Sequence, residues 1–223
     1  CGLDGSGEIQ LRRRVRRETL LRVVGEIPAC VIGIEACTGA YFWQRQFETF
    51  GHEVRIIAPQ HVKPFRRRQK NDRNDAEAIA IAITQPRMRF VPKKSVTQQD
   101  IQSLHRARRR MVNHRTALVS QMRGILLDRG IAFGQSITRA RHMIPEIIND
   151  GNNDLTDLCR EILSSLMDLM REIDKRVREF DQRIDQVFRS TEACQRVGKI
   201  RGVGPKTASQ RGDRRNQSAH HQR

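Results

Sequence analysis

The sequence predicts an α/β domain followed by an all-α part, and three observations lead there. An apolar run, Ala29-Cys30-Val31-Ile32-Gly33-Ile34, precedes a helical stretch and then the strand-like Glu53-Val54-Arg55-Ile56-Ile57-Ala58. Beyond Pro92, two long stretches carry apolar residues at helical spacing with few breakers and heavy surface charge. Near the end, Gly202-Val203-Gly204-Pro205-Lys206 has the form of a tight turn between two short helices.

After the turn Asp4-Gly5-Ser6-Gly7, residues 8–15 alternate polar and apolar except for one arginine. This reads as the second arm of a hairpin whose first arm is absent. Residues 17–25 read as a short helix with Leu20, Leu21 and Val24 inward, and Pro28 then releases the chain into the apolar run. The length of that run suits a strand buried on both faces. Residues 40–50 bring Tyr41, Phe42, Trp43, Phe47 and Phe50 at mixed helical spacing, stopped by Gly51 just past the helix end. Trp43 and Tyr41 read as packing groups rather than as platforms for bases. Strand, helix and strand in this order argue a crossover and a parallel pair.

The loop 60–70 is basic, and a helix then runs through Ala76, Ile79, Ala80 and Ile83 until Pro86. Farther on, Ile101, Leu104, Met111, Leu118, Met122 and Ile125 mark a first long helix ending near Gly130. Leu155, Leu158, Ile162, Leu166, Leu169, Ile173, Val177, Phe180, Ile184 and Val187 recur in threes and fours and mark a second. Two such helices most simply form an antiparallel coiled-coil hairpin, joined through an irregular segment 131–154. The last unit starts at Cys194, and because almost nothing apolar follows Ser209 its second helix is expected to have no buried face to offer. The expected division is 1–92 for the α/β domain, 93–193 for the helical region and 194–223 for the turn-bearing C-terminal part. The closing tail reads as disordered or wrongly framed.

Lys and Arg total 42 against 25 Asp and Glu, a formal net charge of +17. Such an excess is expected of a protein that neutralises phosphates and releases their counterions. The cysteines are odd in number and scattered, without zinc-ligand spacing, and are expected to be reduced thiols in a cytoplasmic compartment. No run approaches the roughly 20 apolar residues of a membrane span, and the first residues carry no signal-peptide core.

Three acidic residues carry the candidate chemistry. Glu35 ends the apolar run, where open α/β sheets place their ligands; a strand-end acid that simply faces water is the competing reading. Asp72 and Asp75 stand three apart where a helix begins, and could gather a hard divalent cation with Glu35. Equally, Asp72 or Asn74 could cap that helix while Asp75 complements its dipole. Arg66, Arg67, Arg68 and Lys70 lie immediately upstream and would draw a phosphate backbone toward these acids. Arg106, Arg108, Arg109 and Arg110 crowd the first long helix as a nucleic-acid-binding face. Gly202 and Gly204 can present backbone N–H groups to a phosphate beside Lys206. His105 and His114 read as surface groups.

In sequence order the chain carries Gly33-Ile34-Glu35-Ala36, Gly51-His52-Glu53-Val54, Gln60-His61-Val62-Lys63-Pro64-Phe65, Lys70-Asn71-Asp72-Arg73-Asn74-Asp75-Ala76-Glu77-Ala78, Arg89-Phe90-Val91-Pro92 and Leu104-His105-Arg106-Ala107-Arg108. With these motifs, spread over residues 4–208, it resembles the DEDD transposases of bacterial insertion sequences. The resemblance implies a partial RNase H-like domain of the RuvC type, a coiled-coil insertion, and the start of a C-terminal domain with a helix-hairpin-helix and a serine nucleophile. It implies Mg2+ as cofactor, DNA and a structured guide RNA as partners, a homo-oligomer in full-length form, and a nucleoid-associated place in the bacterial cytoplasm.

By that resemblance Glu35 matches the second acid of the family's tetrad, and Asp72 and Asp75 its third and fourth. The first aspartate would precede Cys1, and Asp4 belongs to the turn after that strand. The implied function is DNA binding and strand cleavage or exchange in transposition, and this copy is expected to be an inactive, truncated product. The alternatives are a catalytically silent nucleic-acid-binding remnant and a RuvC-type nuclease of the Holliday-junction kind.

Overall fold

The computed structural model describes residues 1–66 and 71–215, with only the backbone described for 211–215. The chain divides into two compact units, Cys1–Lys94 and Ser95–Arg223.

The first unit opens with β1 (Gly2–Leu3) paired antiparallel to β2 (Ile9–Leu11). A short first arm of the hairpin is thus present, contrary to the sequence expectation. Residues 12–15, expected to prolong the second arm, form no regular element; Arg12 instead forms an ion pair with the buried Glu77. Asp4 ties the turn. Its Oδ1 accepts from the N–H groups of Ser6 and Glu8, each at 2.9 Å. Hydrogen bonds from the Ser6 hydroxyl, from Gln10 and from this backbone hold its carboxyl down at about 2.

α1 (Leu20–Gly25) follows a single 3-10 turn, and β3 (Val31–Glu35), α2 (Ala40–Glu48) and β4 (Glu53–Ile57) form the expected crossover. β3 and β4 are parallel, and β5 (Phe90–Val91) lies antiparallel on the far side of β4. Burial falls on β4, the central strand, where Val54, Ile56 and Ile57 are almost fully covered. β3 is an edge among the described residues, with Val31 exposed, so burial on both faces is not observed there. Strand alternation sorts the core into two clusters. Val24, Phe47 and Val54 gather with Ile32, Ile34 and Trp43, whereas Ile57 gathers with Val62, Ala78, Ala82 and Ile79.

Buried His52 fixes where β3 and β4 begin. Its Nδ1 accepts from the Cys30 N–H at 3.2 Å, so its Nε2 carries the proton that it donates to the Val24 carbonyl at 3.1 Å. Past β4 come α3 (Pro59–Val62), with proline in its first turn, and α4 (Asp72–Ile83). The cap of α4 is Asn71, not Asp72 or Asn74: its Oδ1 accepts from the Asn74 N–H at 2.8 Å. α4 can lie close on β3 because residue 33 is glycine. A Cβ there would stand 2.6 Å from Ile83 Cγ2 and 2.8 Å from Ile79 Cγ2, both on α4.

The second unit is all helical: α5 (Val96–Leu127), α6 (Ile137–Asn149), α7 (Asp157–Ser190), α8 (Glu192–Gly198) and α9 (Pro205–Arg215). Ser95 and Gln98 start α5 with a reciprocal capping box, and Thr156 caps α7 through the Cys159 N–H. α5 and α7 run antiparallel, because Arg108 meets Asp181 while Arg115, one heptad later, meets Asp174, one heptad earlier. Between them lie Val119, Met122, Leu126, Leu163, Met167 and Met170.

The segment expected to be irregular between the long helices contains α6, which adds Ala140 and Ile144 to that core. Pro145 inside it costs one backbone hydrogen bond but does not end the helix. α9 also has a buried face, contrary to expectation. That face is made of small residues, Ala208 and Ser209, both fully covered. The Ser209 hydroxyl donates to the Pro205 carbonyl at 2.8 Å and is 3.0 Å from His105 Nε2. His105 is therefore no surface group. Burial, with repulsion from Arg108 and Arg109, lowers its pKa.

One nearly buried acid joins three helices of this unit. Asp174 accepts from Arg115 Nη1 at 2.9 Å and from Arg141 Nε and Nη2 at 2.9 and 2.8 Å. Burial alone would raise its pKa, but the hydrogen bonds from Arg141 and Arg115 outweigh it and bring the carboxyl below the usual range.

Two stability outcomes follow. Gly33→Ala is expected to cost about 1–3 kcal/mol, read by thermal or denaturant unfolding, because two Ile side chains must move. Asp174→Asn leaves two guanidinium groups without their counter-charge and is expected to cost about 3 kcal/mol. Because the folded pKa is depressed, the carboxylate's stabilisation is present above the ordinary carboxylate pKa and is lost as pH falls through the lower folded value. Acid unfolding of the wild type therefore erodes toward that of Asp174→Asn only below the ordinary Asp range.

Candidate acid pair and nucleic-acid interface

In the first unit, β3 carries Glu35 to the carboxyl end of the parallel pair, and α4 presents Asp75 from its first turn. Arg66, just after the 3-10 turn Lys63–Phe65, lies between them. Its Nε is 2.8 Å from Asp75 Oδ1 and its Nη2 is 3.6 Å from Glu35 Oε2. All three side chains are about three-quarters covered, at 22%, 25% and 28% exposure for Arg66, Asp75 and Glu35. The contact between Arg66 Nε and Asp75 Oδ1 is close but badly aligned. Both atoms are buried and neither has a hydrogen-bond partner.

Asp72 does not join this pair. It lies one turn before Asp75 on α4, but its side chain is 96% exposed and, among the described residues, stands 4.0 Å from Arg14. Among the described residues no group of three or more His, Cys, Asp or Glu stands ready around one point. Glu35 and Asp75 supply two carboxylates, one with an orphaned buried oxygen, and a guanidinium stands between them as the cation. Asp72 could complete the set only by turning inward. Arg67, Arg68 and Lys70 lie outside the described residues.

In the second unit the basic residues of α5 divide into two groups. Arg106, Arg109 and Arg110 are exposed. Arg108 is held by Asp181 of α7, with its Nε at 2.5 Å and its Nη2 at 3.4 Å. Lys206, at the start of α9, reaches the same Asp181 at 2.8 Å. Burial would raise the Asp181 pKa, but the hydrogen bonds from Arg108 and Lys206 prevail and lower it. Asp181 thus ties the α8–α9 turn to the long helices. Sequence reasoning missed it, and the only available signal was its one-heptad spacing from Asp174 on the same helix.

At the turn between α8 and α9, Gly202 adopts a φ of +81°, which explains glycine there. A Cβ at Gly202 or Gly204 would meet nothing within 4 Å, so the turn is open in front.

The family model of the IS110-type DEDD transposases, described as a transposase, matches residues 3–129. The chain belongs to this transposase family. It is 38% identical over 208 residues to the transposase for insertion sequence element IS1111A of Coxiella burnetii, covering 93% of this chain and 57% of that protein. It is 35% identical over 211 residues to a probable family 20 transposase of Pseudomonas aeruginosa, covering 93% of this chain and 62% of the relative. The transposase for insertion sequence element IS1328 of Yersinia enterocolitica is 32% identical over 205 residues, with 91% and 60% covered. The chain thus spans about three-fifths of the length of these curated relatives. Among the described residues no helix is long and apolar enough to cross a membrane.

Proposed function

We propose that this transposase-family chain takes part in DNA binding and in strand cleavage or exchange during transposition of an insertion sequence, with Glu35 and Asp75 as paired acidic ligands. The observation that carries the reading is one guanidinium shared by two mostly covered carboxylates, of which Asp75 Oδ1 accepts no hydrogen bond. Carboxylates that ordinarily repel are held together by positive charge placed between them, and here Arg66 supplies it.

Mg2+ would be held by Glu35 and Asp75, with Asp72 as a third ligand were it to turn in from the preceding turn of α4. When bound, such a cation supplies Lewis-acid stabilisation of the charge that builds on a phosphate oxygen. The chain's own groups do the rest. Glu35 and Asp75 fix the position through two rigid elements, and Arg66, once displaced, can turn its fork to a phosphate. In the second unit, Arg106, Arg109 and Arg110 hold a phosphate backbone without reading bases. The helix-hairpin-helix reading of the α8–α9 turn gives it the same role, with Lys206 beside it. The coiled-coil reading of α5 and α7, the RuvC-type fold, the guide RNA and the homo-oligomer belong to this proposal as well.

A second reading, a catalytically silent nucleic-acid-binding protein, is favoured by one observation, the exposure of Asp72 away from the other two acids. Metal binding separates the two. In calorimetric titration with Mn2+, Glu35→Gln and Asp75→Asn are each expected to weaken binding tenfold or more, about 1.4 kcal/mol. Arg66→Gln removes the competing cation and is expected to tighten it by about the same factor. Equal affinity in all four proteins would leave the silent reading standing.

Replacing Arg106, Arg109 and Arg110 together by alanine is expected to weaken DNA binding and to flatten its salt dependence. The slope of log K against log salt should fall by about 0.9 for each lost duplex phosphate contact. Fluorescence anisotropy across a salt series reads this, and an unchanged slope would remove the basic face from the interface.

A further inference from the structure

The first unit also holds a groove of about 570 Å³. It is lined by Gln60 and His61 of α3, by Phe65, and by Gln85, Arg87, Met88 and Arg89 of the segment leading into β5. The size lies within the range of small-molecule sites. Phe65 and Met88 pack on the Ile57 core cluster and give the groove an apolar floor. Arg87 and Arg89 are exposed.

Strand register places this groove relative to Glu35. Glu35 pairs with Ile57 across β3 and β4, and Ile57 pairs with Phe90 across β4 and β5. Glu35 and Phe90 therefore stand in one row at the same end of the sheet, two strand spacings apart, about 10 Å. Arg89 directly precedes that row. About three steps of a stacked nucleic-acid strand, at roughly 3.4 Å each, cover the same distance.

We propose that this groove is a subsite for one unpaired nucleotide of the strand whose phosphate lies at Glu35 and Asp75. The inference deepens the reading of that acid pair and rests on it for the direction of the strand. Its chemistry fits a nucleotide rather than a duplex. The arginines and His61 suit a phosphate, whereas Phe65 and Met88 can touch a base only by its face, which pairing and stacking would hide. Gln60 and Gln85 each offer an amide, donor and acceptor together, to a base edge.

Because the whole chain is strongly basic, the probe must be short. The full chain is titrated with a 5′-phosphorylated dinucleotide carrying 5-iododeoxyuridine, and after irradiation the crosslink is located by mass spectrometry. The expected crosslink falls within 60–65 or 85–89, and Arg87→Ala with Arg89→Ala lowers affinity for the dinucleotide at least fivefold. A control pair on α7, Arg171→Ala with Arg176→Ala, leaves it unchanged. Crosslinks confined to other segments, or equal losses from both pairs, overturn the proposal. Parallel titration with the uridine dinucleotide tells whether the subsite takes DNA or RNA. Mn2+ affinity of the Arg87 and Arg89 variant is measured beside it. If the acid pair fails to bind metal while the groove still captures the dinucleotide, the earlier reading fails and this one does not.

Discussion

The close approach of α4 to β3 at Gly33 is the constraint on which the first unit's site depends. With no side chain at that position, Ile79 and Ile83 settle directly against the strand, and the helix axis is fixed relative to the strand end. Glu35 lies two residues along the strand from this contact, and Asp75 one helical turn before Ile79. Their proximity is thus a packing result, obtained without attraction between the two acids. The like charges that packing forces together then need a counter-charge, which Arg66 provides from the chain following α3.

The helical unit solves a related problem differently. Its long helices carry many arginines, and two of them, Arg108 and Arg115, are each neutralised by an α7 acid that serves a second partner, Asp181 with Lys206 and Asp174 with Arg141. Breaking either acid would leave two charges uncompensated, so each couples three helices at once. Arg106, Arg109 and Arg110, exposed on α5, carry no such task among the described residues. Arg108 and Lys206, grouped by sequence with the phosphate-binding residues, already hold the α8–α9 turn to the bundle.

The periodic elements were legible from residue pattern alone. The βαβ crossover, the helix opening near Asp72 and both long helices follow from apolar spacing of two or of three and four. The misses share a cause. α6 hid behind Pro145, the buried face of α9 behind residues as small as Ala208 and Ser209, and β1 behind a strand too short to alternate. At the acid pair, sequence motif and resemblance named Glu35, Asp72 and Asp75, but spacing could not tell which acids share a counter-charge. Rotamer and packing decide that, and they set Asp72 outward. Arg66 was singled out for a phosphate, and nothing in its local sequence says that two carboxylates hold it first.

The proposal at the acid pair is that a divalent cation takes the place now held by the Arg66 guanidinium. Crystals of this chain soaked in Mn2+ and measured at the manganese absorption edge test it most directly. One anomalous peak between the Glu35 and Asp75 carboxylates, in contact with oxygens of both and with Arg66 swung away, is expected. Arg66 still bridging both acids at saturating Mn2+, with the anomalous signal elsewhere or absent, would contradict it.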